Sequence, residues 1–284
     1  MTKLQMPYFN LKASLLTQHG KESVICPELL DKNGLQVLHV TGYDTDLLGT
    51  FTRDIPRLGS QLDAARKKAR VGMELGHTQI GLASEGAFTY DPVTGLLPWN
   101  YELLLLIDDT RNIEMIGFYG GPAQSASKVV SSWDELLDFL PNAAFPSHQL
   151  VIRPDDEYSP VCRKGINEFE TLRQAYDWAV EQSINGAVFV ENDLRAHTNP
   201  TRMSNILNAT KNLALKLNSI CPKCESPGFS ISNSKSGLPC STCNSPTHLT
   251  IANIWTCVSC HYHQEEVIKG QSKADPSKCN HCNP

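Results

Sequence analysis

Eight cysteines crowd into the last 66 residues of this 284-residue chain, as four Cys-x-x-Cys pairs: Cys221/Cys224, Cys240/Cys243, Cys257/Cys260 and Cys279/Cys282. A two-residue spacer puts two thiolates on one tight knuckle, each able to lie about 2.3 Å from a shared zinc, and two knuckles complete a tetrahedron. Four knuckles therefore predict two closed structural sites with four cysteine ligands each, and zinc as the metal, two ions in all. Disulfides are the competing reading. Neighbouring Cys-x-x-Cys thiols seldom form structural bridges, and between Met1 and Phe9 no basic region precedes an apolar run that would direct the chain to an oxidising compartment. An iron site of the rubredoxin kind uses similar knuckles and stands as the alternative metal.

The gaps between pairs are 15, 13 and 18 residues. Sequential pairing, first knuckle with second and third with fourth, gives two ribbons with loops of 15 and 18 residues. Interleaved pairing, first with third and second with fourth, fits the spacing as well. Trp255 and Tyr262 are expected to pack near the knuckles. His248, His261, His263 and His281 lie close by, but eight cysteines already fill two tetrahedra.

Charge narrows what such a tail does. Residues 219–284 hold five Lys, no Arg and four acidic residues, a formal +1; eight thiolates (−8) and two Zn²⁺ (+4) would bring the tail to about −3. The whole chain carries −5. Nucleic-acid binding through Arg and Lys is therefore not expected, and contact with a protein partner is the better assignment for the ribbons. The longest aliphatic run, 103–107, is too short to cross a bilayer. A cytoplasmic protein without membrane association is expected.

Upstream of the tail the pattern is α/β. Residues 11–17 and 35–40 read as strands around a helix that runs through Leu30, with Pro27 suited only to its first turn. Leu58, Leu62, Ala65, Ala69 and Met73 form the stripe of an amphipathic helix. Residues 80–84 read as a short buried strand ending at Glu85-Gly86, followed by strands at 103–108 and 115–119 and a helix at 133–140 capped by Ser131 or Ser132. Beyond the Pro-containing stretch 141–146, a strand at 149–152, a helix from Ile166 to Ala179 and a strand at 187–190 are expected. Asn199-Pro200 has the form of a helix cap followed by proline at the first helical position. The predicted architecture is a mixed sheet with flanking helices, divided into an α/β domain (1–145), a second α/β segment packed on it (146–218) and the double zinc-ribbon module (219–284).

Open α/β sheets place ligands at the carboxyl ends of their strands. Three polar clusters fall there. His19-Gly20-Lys21 sits at a strand-to-helix turn where backbone N–H groups and a lysine can meet an anion. Glu85, beside Gly86, is a carboxylate at the end of an apolar strand, where burial demands a cation, a metal or a donor. Magnesium is the expected metal, with Asp46 as companion ligand and phosphate oxygens completing the shell; Glu102 is a further candidate. Arg195, His197 and Arg202, with Asp193 and Asn199, converge on a strand end and helix start suited to phosphate. A plain salt bridge from Asp193 to Arg195 or Arg202 is the competing reading.

The run 13–22, the element Gly49-Thr50-Phe51, the pair Lys68-Ala69 and the strand ending at Glu85-Gly86 together resemble inosine/xanthosine triphosphate pyrophosphatases. The resemblance spans about residues 11–120. It implies that Lys21 and Lys68 contact phosphates, that Glu85 holds the metal, and that the chain hydrolyses a nucleotide or another phosphorylated small molecule. The whole layout, cysteine-rich tail included, resembles an uncharacterised bacterial domain family. Two functions follow as expectations: a Mg²⁺-dependent hydrolase with Glu85 in the catalytic role and His19, Lys21, Lys68, Arg195, His197 and Arg202 binding the substrate, or a non-catalytic nucleotide-sensing or protein-binding adaptor.

Overall fold

The computed structural model describes residues 6–43, 60–270 and 272–283. Its first layer follows from a strand that is buried on both faces. β1 (Lys12–Leu16) is covered from its second residue onward, as expected inside a parallel arrangement. Helix α1 (Glu22–Asn33) connects β1 to its parallel neighbour β2 (Gln36–Val40), and helix α2 (Gln61–Gly76) precedes β3 (Ile80–Tyr90), parallel to β1 on its other side. β3, β4 (Pro98–Asp108) and β5 (Ile113–Pro122) then form an antiparallel meander. The result is a mixed five-stranded sheet in the order β2-β1-β3-β4-β5.

Local chemistry explains the helix ends. Ser60 and Asp63 form a reciprocal capping box that starts α2, and its apolar stripe buries Ala65, Ala69 and Met73 against Ala83, Leu103, Leu105 and Ile107. Helix α1 runs through Pro27 rather than starting at it. The proline removes one backbone hydrogen bond, and burial of Ile25 and Leu29 on either side of it holds the helix together.

One strand is longer than its sequence suggested. β3 does not end at Glu85-Gly86 but continues to Tyr90, paired with β4 as far as Pro98. The reason is visible in Phe88-Thr89-Tyr90, three residues that favour a half-buried pleated surface and find partners in Asn100, Trp99 and Pro98. Glu85 therefore lies within β3 and Glu102 within β4; what ends near Glu85 is the pairing with β1, which is confined to Ser14↔Gly81 and Leu15↔Leu82.

The second layer is a separate four-stranded sheet. It comprises β6 (Ser127–Val130), helix α3 (Trp133–Phe139), β7 (Leu150–Pro154), β8 (Arg163–Ile166), helix α4 (Phe169–Gln182) and β9 (Val188–Asn192), with strand order β6-β9-β7-β8. Ser132 caps α3 by accepting from the Glu135 N–H. Ile166 closes β8 instead of opening α4, and packs with Leu150, Leu172 and Val190 in this sheet's own core.

Helix α5 (Pro200–Asn218) returns the chain to the first sheet. The Asn199 side chain accepts from the Arg202 N–H at 3.0 Å, with Pro200 at the first helical position. Ile206, Leu213 and Leu217 pack with Leu29 of α1 and with Leu104 and Met115 of the sheet. Thus α1 and α5 cover one face and α2 the other. The tail adds a three-stranded antiparallel sheet in the order β10-β11-β12, formed by Phe229–Ser236, Thr250–Cys257 and His263–Val267. Trp255 and Tyr262 pack on Phe229, with ring centroids 5.6 and 6.1 Å away. Among the described residues no helix is long and apolar enough to cross a membrane.

Candidate functional site

The cysteine pairs assemble into two tetrads, and the pairing is interleaved. Cys221, Cys224, Cys257 and Cys260 form one group and Cys240, Cys243, Cys279 and Cys282 the other. A tetrahedral ion with bonds of about 2.3 Å needs sulfur–sulfur edges of about 3.8 Å. The observed edges are 3.8 Å for Cys221–Cys260, 3.6 Å for Cys224–Cys257, 3.9 Å for Cys240–Cys282 and 3.6 Å for Cys243–Cys279. All four sulfurs of each tetrad lie within 4.8 Å of one another, so each group could hold one metal ion. Backbone N–H groups of Lys223, Thr242 and Ser259 point at the first sulfur of their knuckles at 3.4 Å, which stabilises thiolate charge. Glu225, Asn244 and His261, each just after a knuckle's second cysteine, turn the chain back through the left-handed region. No histidine joins either group among the described residues.

The second candidate site lies where β1 stops and β3 goes on. Strand alternation divides it between the two faces of the sheet. Ala83 and Glu85 share the α2 face with Leu103 and Leu105, whereas Ser84 and Gly86 share the α1/α5 face with Leu104 and Glu102. On the α2 face the Lys68 ammonium pairs with the Glu85 carboxylate, both largely buried. Gln61, in the first turn of α2, donates to the Glu85 carbonyl at 2.7 Å and ties the helix to this point of the strand.

The α1/α5 face carries the denser cluster. Arg202 is 2% exposed and its Nε donates to Glu102 Oε1 at 2.8 Å; Glu102 is fully buried. Asn100 also donates to Oε1, at 3.1 Å, and accepts from Asn205. Glu102 Oε2 has no hydrogen-bond partner among the described residues. Gly86 makes room for this pair: a Cβ there would lie 2.6 Å from Arg202 Nη2.

Lys21, 6% exposed, reaches in from the start of α1. Its ammonium donates to the Ser84 carbonyl at 3.1 Å and lies 3.5 Å from the Ser84 hydroxyl. Burial, followed by the Arg202 charge, pulls its pKa down from the usual lysine range to about 7. His19 and Gly20 turn into α1 through two consecutive left-handed residues, at φ 68° and 72°. That turn stacks the His19 ring on His197, centroids 5.2 Å apart. Burial, then the charges of His197, Lys21, Arg195 and Arg202, pushes His19 down to about 4, so it is neutral at pH 7. Burial and Arg195 lower His197 as well.

Arg195 and Arg202 divide between two carboxylates. Arg195 is clamped by Asp193, with Nη2 to Oδ2 at 2.5 Å and Nε to Oδ1 at 3.0 Å, as in the salt-bridge reading. Arg202 takes Glu102 instead. Among the described residues of this face, Lys21, Arg195 and Arg202 stand with the carboxylates Asp193 and Glu102, and Lys21 makes its hydrogen bond to a carbonyl rather than to either carboxylate.

Seven of the residues singled out from sequence thus gather around the end of the β1–β3 pairing. His19, Lys21, Arg195, His197 and Arg202 stand on one face with Ser84, and the Lys68–Glu85 pair stands on the other. Lys21 still feels all four charges of the two ion pairs. Asp46 and Gly49-Thr50-Phe51 lie outside the described residues. Sequence reasoning passed over Ser84, Asn100 and Asn205. The signal that existed was Glu102 itself, one acid in the otherwise apolar run from Tyr101 to Ile107, which had to find a buried cation.

A family model described as "Domain of unknown function (DUF6671)" matches residues 68–284. That range includes Lys68, Ser84, Glu85, Glu102, Arg195, His197, Arg202 and both tetrads, and leaves His19 and Lys21 outside. No curated protein and no solved structure matches the chain.

Proposed function

The chain belongs to the DUF6671 family, and we propose that it binds and hydrolyses a nucleotide or another phosphorylated small molecule at the α1/α5 face of β3. The observation that carries this reading is the buried amine of Lys21, held at the Ser84 carbonyl beside Arg202 and without an ion-pair partner of its own among the described residues. A buried cation without its own carboxylate is costly to the fold and is offset when an anion arrives. The start of α1 adds backbone N–H groups and a favourable dipole toward the same anion. Arg195 and the neutral His19–His197 stack stand beside them, and Glu102 Oε2 is a buried acceptor without a hydrogen-bond partner among the described residues. In hydrolysis Arg202 stabilises charge that builds on the phosphate oxygens. Magnesium would compete with Lys68 for Glu85, so this reading assigns the phosphate charge to side-chain cations.

The tetrads fit zinc, from their all-sulfur composition and edge lengths, and hold the tail sheet together. A second reading, docking of a protein partner on the tail, draws on a cleft of about 510 Å³ lined by Leu215, Phe229, Ile231 and Trp255.

Titration calorimetry with a panel of nucleoside triphosphates, diphosphates and inorganic phosphate tests the first reading, together with assays for phosphate and pyrophosphate release. At least one triphosphate is expected to bind, with affinity at least tenfold weaker in Lys21→Met. Absence of binding across the panel would remove the phosphate reading and leave the docking one.

A further inference from the structure

We propose that Ser84 and Lys21 are a nucleophile and its base, so that turnover passes through a phosphoryl group carried on Ser84. This rests on the phosphate reading above and gives it a chemical course. Four observations converge. The amine of Lys21 is fixed by its bond to the Ser84 carbonyl, which leaves it 3.5 Å from the hydroxyl of that same residue. That separation is long for a hydrogen bond, but nucleophile–base pairs are often loose before substrate binds. Both side chains are buried, so water does not compete for the proton. Alternation along β3 turns the hydroxyl to the face that carries Arg202 and Glu102, where the anion is expected. Burial and two neighbouring cations also leave a large fraction of Lys21 unprotonated at neutral pH, the state a base needs.

In the first step the Lys21 amine takes the hydroxyl proton as the Oγ–P bond forms and the bond from phosphorus to the leaving oxygen breaks. The resulting ammonium returns that proton to the leaving oxygen. In the second step water attacks phosphorus while Lys21 accepts its proton; the P–Oγ bond breaks and the proton passes to Oγ. The sum is one phosphoester or phosphoanhydride plus one water giving two products, with no change of oxidation state.

A fluorophosphonate probe reads the pair without any phosphate substrate, because Oγ–P forms, fluoride departs and Lys21 takes the proton. Intact-mass and peptide-mass measurements on the zinc-loaded full chain are expected to place one adduct on Ser84, with none in Ser84→Ala. The wild-type labelling rate should rise with pH through an inflection near 7. In Lys21→Arg it should fall at least about 100-fold and lose the inflection. The inflection needs no variant, so a misfolded Lys21→Arg protein does not spoil the test. Failure to label Ser84, or labelling with no inflection, overturns the pair. Unchanged turnover of a bound nucleotide by Ser84→Ala overturns it too, while leaving the phosphate reading intact. Ser84 labelling combined with no nucleotide binding supports the nucleophile–base pair and overturns the phosphate reading together with the phosphoryl course built on it.

Discussion

Removing both partners of the Glu102–Arg202 pair should destabilise the protein by less than the sum of the two single removals. The guanidinium is 2% exposed and the carboxylate fully buried, with the Nε–Oε1 bond at 2.8 Å supported by Asn100 at 3.1 Å. Glu102→Gln keeps the volume but leaves the arginine charge uncompensated in the interior, at a cost of about 3–5 kcal/mol. Arg202→Met leaves the carboxylate in the same position and should cost a similar amount. The double variant buries no net charge in this pair, so it should lie above the sum of the singles by a coupling of about 2–3 kcal/mol. Urea unfolding followed by tryptophan fluorescence, with zinc in excess so that the tetrads stay loaded, gives the three differences. Additive losses within about 0.5 kcal/mol would show that the two side chains do not act as one buried unit, and would undo the electrostatic reasoning for this face.

Metal stoichiometry distinguishes interleaved from sequential pairing: Cys221→Ser combined with Cys257→Ser should leave one bound zinc per chain, and Cys221→Ser combined with Cys240→Ser should leave none, by mass spectrometry under native conditions. The folded value of about 4 for His19 lies below the ordinary 6.5, so the unfolded chain binds the proton first as pH falls. The stability tied to this residue is present above about pH 6.5 and is lost between 6.5 and 4, up to about 3 kcal/mol. His19→Asn, which tolerates the left-handed backbone, should flatten the thermal stability profile over that interval. Gly86→Ala should cost about 1–3 kcal/mol by pressing on Arg202 Nη2, with a matching loss of triphosphate affinity in calorimetry.

How far residues spoke for themselves differs between the two sites. Cys-x-x-Cys spacing encodes a local knuckle, so the eight ligands were legible; which knuckle meets which depends on how β10, β11 and β12 pair, and loops of 13 to 18 residues permit either answer. At the second candidate site the helix cap Asn199-Pro200 and the turn at His19-Gly20 were readable from local rules. The length of β3 was not, because Glu85-Gly86 looks like a terminus until Phe88 and Tyr90 are seen to have partners across β4. The same error concealed which face Glu85 occupies. A side chain's face depends on register, and register is a property of two strands rather than one.

That register is itself protected by chemistry. Neighbouring positions on β3 and β4 present charge to opposite covers, with Lys68 waiting above and Arg202 below. Were β3 to slide one residue along β4, Glu85 and Ser84 would exchange sides, and each helix would meet the wrong group. Lys68 would lose its counter-ion, and Glu85 would land on the face that already holds Glu102. A misaligned hairpin is therefore penalised twice, which makes the two buried ion pairs a checkpoint on assembly of the sheet.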